Sequence, residues 1–281
     1  MRKKITEEEW LVLETEHLKN KMSLIDISKK LNINYRTLYY GFKRRNIEIT
    51  LYDVNRRKYD VNDNFFQSID TEDKAYILGI LLADGYIHKG NTVCIKLKEE
   101  DILTIEYIKS MLCPTKPIFN DKSIRGDKVF KAKKLEVCSE QLCKDLKKLG
   151  MVPRKTGIEK FPRLREDMYP HFVRGFFDGD GSVSKKSNMG PAKSYQFYIC
   201  CTNKQFLHDM RNKLNFGKVY TEKRPTVDMH TLRFTNIKEC LSLVKYMYQD
   251  CKSHYMKRKA IKCIDYANTV LRHNSSVQCN A

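Results

Sequence analysis

Two nine-residue stretches, ILGILLADG at 77–85 and VRGFFDGDG at 173–181, align without a gap, and each runs from apolar residues to a carboxylate followed by glycine. Within them small residues recur four apart: Gly79 and Ala83 in the first copy, Gly175 and Gly179 in the second. On a helix that spacing puts both small residues on one face. Glycine inside a helix costs about 1 kcal/mol relative to alanine, so such a face must be used for close approach. Two of them can meet nearly backbone to backbone, which makes Gly79, Ala83, Gly175 and Gly179 the expected helix interface. Asp84 and Asp180 then take the last helical positions, with Gly85 and Gly181 expected as left-handed caps. Parallel packing would deliver both acids side by side at the foot of the interface, each facing the negative end of a helix dipole. Such a pair calls for a cation. Hard oxygen ligands, the carboxylates of Asp84 and Asp180 with the carbonyls of Ala83 and Gly179, point to Mg²⁺.

The copies differ in their acids at one place, where Leu82 of the first stands opposite Asp178 of the second. Asp178 lies roughly 200° around a helix from Asp180. It is therefore expected to be a polar or salt-bridged helix residue and not a ligand.

The duplication extends past the motifs. Each is followed by an alternating strand (NTVCIKLK; SYQFYICCT), a helix (DILTIEYIKSML; NKQFLHDMRNKL), two further strands and a helix (QLCKDLKKLG; IKECLSLVKYMY). Each half reads α-β-β-α-β-β-α, and neither has enough layers to close its own core. The fold class is α+β, with pseudo-symmetric halves at 71–165 and 166–270 and a tail at 271–281.

The first fifty residues form a separate all-α module. Thr6 and Glu9 make a capping box, and the helix they open points Trp10, Leu11, Leu13 and Leu18 at a small core. A second helix with Leu24, Ile27 and Leu31 inward, a turn at Asn32-Ile33, and a third helix from Asn34 give a helix-turn-helix pattern. Leu38 and Phe42 face in, while Tyr35, Arg36, Tyr39, Tyr40, Lys43 and Arg44 offer a DNA-binding face. Residues 51–70 lack periodicity and are expected to be a linker.

The formal net charge of +19, spread along the whole chain, suits a folded surface that follows a phosphate backbone. No apolar run reaches the length of a membrane span, and MRKKITEEEW turns acidic before any apolar stretch, unlike a secretory signal. The ten cysteines include no CxxC pair and are expected to be reduced thiols, as in a cytoplasmic protein.

The two motifs, each opening an αββαββα half within a basic chain, resemble those of the LAGLIDADG homing endonucleases in their single-chain form. The resemblance covers about residues 70–270. It implies a β-strand saddle over a long asymmetric double-stranded DNA site, a monomer, and Mg²⁺-dependent phosphodiester hydrolysis, with Mn²⁺ able to substitute. It also implies one metal-binding acid per half, Asp84 and Asp180, and intron homing as the biological setting. A basic residue near each scissile phosphate is usual in the family; PRKT and KRKA put Lys155 and Lys259 there, with Lys257 competing with Lys259. DNA reading would fall to outward strand residues. Val93, Ile95 and Leu97 alternate inward and leave Lys96 and Lys98 outside, and Leu232 and Phe234 leave Arg233 outside. The competing function on the same fold is a non-cleaving DNA-binding regulator or an intron RNA maturase, and retention of both acids favours the nuclease.

Overall fold

The computed structural model describes residues 5–50, 58–89, 91–185 and 195–278. Contacts divide the chain into two units, Met1–Lys58 and Tyr59–Ala281. Among the described residues no helix is long and apolar enough to cross a membrane.

The first unit is three helices, α1 (Glu7–Leu18), α2 (Leu24–Lys30) and α3 (Tyr35–Arg44). The Thr6–Glu9 capping box forms, and Asn34 caps α3 by accepting from the Arg36 amide. Trp10, Leu13, Leu24, Ile27, Leu38 and Phe42 make the core. Leu11, Leu18 and Leu31, expected inside, are exposed. The helical phase explains the first two: Trp10, Leu13 and His17 are three and four apart on one face, and Leu11 is a turn-third away. His17 fills the place expected of Leu18, bridging the Met22 carbonyl and the Thr50 amide. Leu31 sits past the end of α2, next to Asn32, whose φ of 51° makes the tight turn into α3. Tyr35, Arg36, Tyr40, Lys43 and Arg44 are all exposed on α3.

The second unit opens with residues expected to be linker. Residues 51–57 lie outside the described ones, but 59–70 are part of the core's edge, because Phe65 and Phe66 are buried in it. Then come α4 (Glu72–Asp84), β1 (Gly85–His88), β2 (Thr92–Lys98), α5 (Ile102–Leu112), β3 (Phe119–Arg125), β4 (Lys128–Cys138) and α6 (Glu140–Lys148). The second half repeats the order: α7 (Tyr169–Asp180), β5 (Gly181–Lys185), β6 (Tyr195–Cys201), α8 (Lys204–Leu214), β7 (Lys218–Glu222), β8 (Met229–Phe234) and α9 (Ile237–Tyr248). The strand orders β1-β2-β4-β3 and β5-β6-β8-β7 are the same antiparallel arrangement built twice. A last helix, α10 (Lys257–Gln278), continues unbroken through 271–278, which the sequence suggested as tail.

Both motif helices are apolar nearly all round, the signature of a helix enclosed by its neighbours. Ala75 to Leu82 are buried without a gap on α4, as are His171 to Asp178 on α7. The helices run parallel: Gly79 abuts the backbone between Phe172 and Phe176, Gly175 abuts Tyr76 and Ile80, and Gly179 abuts Ala83. A Cβ on Gly79 would overlap the Phe172 carbonyl oxygen, and one on Gly175 the Tyr76 carbonyl oxygen.

Gly85 and Gly181 are not left-handed caps. Their φ, ψ of −82°, 163° and −82°, 159° are extended, because the chain passes straight from each motif helix into β1 or β5. Glycine is needed there for room: a Cβ on Gly85 would lie 2.6 Å from the Leu81 carbonyl oxygen, and one on Gly181 2.5 Å from that of Phe177. In the sheets Val93, Ile95, Leu97, Leu232 and Phe234 are buried as expected, but the alternation is incomplete, since Cys94 and Thr231 on the opposite faces are buried too. Lys96, Lys98 and Arg233 lie on the opposite faces; Lys96 pairs with Asp121 at 2.8 Å, and the Arg233 guanidinium lies 5.0 Å from the Tyr220 ring.

Gly175→Ala should cost about 3 kcal/mol of stability, because the obstruction is backbone on the facing helix and cannot rotate away. Thermal unfolding checks this, and an unchanged melting temperature would mean the helices do not approach so closely.

Candidate active site at the foot of two parallel helices

Parallel packing brings two helix C-termini together, and each ends on an acid. Asp84 reaches across the interface: a Cβ on Gly179 would lie 3.0 Å from its Oδ2. Burial, and after it the neighbouring Asp84, raise the Asp180 carboxyl to about 6 against the opposing pull of Lys155 and Lys259. Burial likewise raises Asp84, partly offset by Lys259 and Lys155. Two carboxylates, both half-buried, and two helix dipoles of one sign therefore meet.

The countercharge comes from the two lysines. Lys155 Nζ donates to the carbonyls of Leu82 (2.6 Å) and Ala83 (2.7 Å) at the end of α4. Lys259 Nζ donates to Phe177 (2.9 Å), Gly179 (2.8 Å) and Gly181 (2.7 Å) at the end of α7. Each ammonium thus sits on carbonyls at a helix C-terminus, where positive charge is favoured, although the Phe177 carbonyl also accepts the Gly181 amide and Gly181 itself opens β5. Lys259 is buried, and that burial lowers its pKa to about 8. Lys257, its competitor in the sequence, is exposed at the start of α10. The carbonyls of Ala83 and Gly179, expected to face a metal, accept from lysine here.

The donor set suits a hard divalent ion. Among the described residues no three His, Cys, Asp or Glu side chains gather to enclose a cation. Mg²⁺ asks for no more than one or two carboxylates when water and substrate phosphate complete its octahedron. Asp84 and Asp180 would hold it.

Asp178 stands apart from this pair, as its helical angle suggested. It is fully buried, and its Oδ2 accepts from the Tyr76 hydroxyl (2.9 Å) and the Met256 amide (2.7 Å). Burial raises it to about 6. Arg174, also wholly buried, donates to Glu72 Oε1 (2.8 Å), the Met247 carbonyl (3.0 Å) and the His254 carbonyl (3.3 Å). Arg258 forks onto Asp101, with Nε at 2.8 Å from Oδ1 and Nη2 at 2.9 Å from Oδ2. Sequence reading missed these tethers. The one available signal was a charged Arg174 inside an apolar motif; its partner Glu72 lies 102 positions away.

Residues 167–242, from the turn before α7 into α9, match the family model of a LAGLIDADG-like domain. The second half carries a LAGLIDADG-like domain. It contains α7 with Asp178 and Asp180, and sheet β5-β6-β8-β7. No curated protein sequence matches the chain. Similar solved structures include the I-SmaMI LAGLIDADG homing endonuclease bound to cleaved DNA, at 14% identity and TM-score 0.42 over 72% of this chain and 90% of that one. I-SmaMI bound to uncleaved DNA target in the presence of calcium ions gives 16%, 0.44, 72% and 92%. The N-terminal LAGLIDADG domain of DUF199/WhiA gives 16%, 0.41, 68% and 94%.

The raised pKa of Asp180 fixes a sign for stability. An acid whose folded value, about 6, exceeds its ordinary 3.8 holds its proton more tightly in the folded state. Folding stability is then lost as pH rises through that window, and the loss is complete above it. Without divalent metal, Asp180→Asn should be more stable than wild type at about pH 7 by about 1–3 kcal/mol, and no more stable at about pH 4. Melting temperatures in a chelator check this; equal values at both pH extremes would contradict the burial of the acid.

Proposed function

We propose that the chain is a site-specific double-strand DNA endonuclease of the LAGLIDADG homing type, acting as a monomer on a long asymmetric target. The observation that carries the reading is the pair Asp84 and Asp180, set side by side at the ends of two helices whose carbonyls are neutralised by Lys155 and Lys259. Holding two half-buried like charges together against two negative dipoles opposes folding. A protein that only bound DNA would gain nothing from it.

Mg²⁺, or Mn²⁺ in its place, would supply Lewis-acid stabilisation of phosphate charge and an activated water when bound. The chain's own residues do the rest. Asp84 and Asp180 present ionised oxygens, one from each half, so that each DNA strand has an acid. Lys155 and Lys259 hold positive charge beside those oxygens, and Lys259 can exchange a proton at Nζ near neutral pH. Lys96, Lys98 and Arg233, on the sheet faces opposite the apolar strand residues, would contact bases or phosphates. The exposed face of α3, with Tyr35, Arg36, Tyr40, Lys43 and Arg44, would lengthen the footprint as a helix-turn-helix does.

A plasmid library of randomised duplexes incubated with Mg²⁺ tests the activity. Wild type should linearise a subset of sites, and Asp84→Asn or Asp180→Asn should each lower double-strand cleavage by about 10²-fold or more while leaving binding in place. A wild type that binds a site and never cuts it would point to the regulator or maturase reading instead. Replacing Arg36, Lys43 and Arg44 by alanine should reduce the slope of log affinity against log salt by about 2 to 3. An unchanged slope and footprint would remove the N-terminal module from the DNA interface.

A further inference from the structure

The two copies of the motif bury different chemistry. On one side of the helix pair, Tyr76 of α4 meets Asp178 of α7, and the Met256 amide joins them on the same oxygen, Oδ2. In the ungapped alignment the symmetry-related positions are Phe172 and Leu82, both apolar and both buried. The first half therefore has nothing equivalent to the Asp178 tether. The two lysines are also presented differently. Lys155 stands in a turn between α6 and α7, whereas Lys259 stands in the first turn of α10, three residues after Met256. The α10 start is further held by Arg258 on the buried Asp101 of the first half.

We propose that Asp178 is the positioning residue for Lys259: by fixing the Met256 amide it sets where α10 begins, and so seats the Lys259 ammonium on the carbonyls at the end of α7. The geometry is local and directed. Asp178 lies in the last turn of α7 and holds the Met256 amide, while Lys259, three residues on, donates to Phe177, Gly179 and Gly181 at the end of the same helix. Lys155 takes no part in this tether; its partners are on α4. One side of the site thus depends on a buried carboxylate two positions from Asp180, and the other does not. For its cleavage readout the inference rests on the nuclease reading, while its chemical readout is independent of it.

The test compares wild type, Asp178→Leu, which copies Leu82, and Asp178→Asn, which keeps one oxygen for both donors. In the native protein, amine acylation followed by peptide mass spectrometry should modify Lys259 slowly in wild type and Asp178→Asn. In Asp178→Leu it should be at least about tenfold faster, with Lys155 unchanged, as for a local opening. On the site recovered from the plasmid library, strand-specific labels should show Asp178→Leu slowing one strand by about 10²-fold, the strand also slowed by Lys259→Ala, so that nicked circles accumulate. Asp178→Asn should restore both strands. Persistent protection of Lys259 in Asp178→Leu overturns the proposal, as does equal exposure of both lysines or equal slowing of both strands. Should Asp178→Leu fail to fold, Tyr76→Phe removes one donor from the same oxygen and carries the same readings with a smaller factor. A wild type that cuts nothing would defeat the nuclease reading and leave the acylation result to decide this one.

Discussion

Gly79 and Gly175 let two helices lie with backbone against backbone, and the rest of the second unit depends on that contact. Each glycine costs about 1 kcal/mol as a helix former. The return is larger, because the approach allows the apolar sides of both helices to be enclosed by their own halves, and each buried Leu or Phe contributes about 1.5–3 kcal/mol. One core then serves both halves, running from Phe65 to Val270. The same contact sets the chemistry. In the register observed Gly179 abuts Ala83, so the acids that close the two motifs become neighbours whether or not their charges favour it.

A smooth glycine face fixes distance better than it fixes register, since a helix could slide along it by a turn and still fit. The buried polar links supply what is missing. Arg174 on α7 with Glu72 on α4, and Tyr76 on α4 with Asp178 on α7, join the helices at two heights. Buried ion pairs add little net stability, because desolvation offsets the attraction, but breaking one leaves a costly bare charge. A slipped register would strand all four groups. Specificity of alignment, more than stability, is what these residues contribute.

Much of this was legible in the sequence, and the failures have physical causes. The motif repeat, the helix phase of its small residues and the strand alternation at Val93, Ile95 and Leu97 come from periods of 3.6 and 2, which a sequence displays directly. The two acids were legible for the same reason. The placement of Lys259 over Lys257 was not, since neighbours two apart on a chain differ only in which side of α10 they take. Leu11 and Leu18 were misread because apolar character was weighed above phase. Gly85 and Gly181 were misread because a glycine after a helix usually signals a left-handed turn, whereas here it signals crowding under Leu81 and Phe177. Residues 59–70 looked like a linker because two buried phenylalanines do not make a period. The tethers of Asp178, Arg174 and Arg258 join positions far apart in sequence, and no local pattern announces such partners.

The direct passage from helix to strand at Gly85 and Gly181 has a mechanical consequence. No loop separates Asp84 from β1 or Asp180 from β5, and β1 and β5 are each hydrogen-bonded to the strands that carry Lys96 and Tyr198. A carboxylate at such a junction has no slack of its own. Strain applied to either sheet reaches the acid within a peptide unit or two, so bending a sheet by a fraction of an ångström would move its acid by a similar amount.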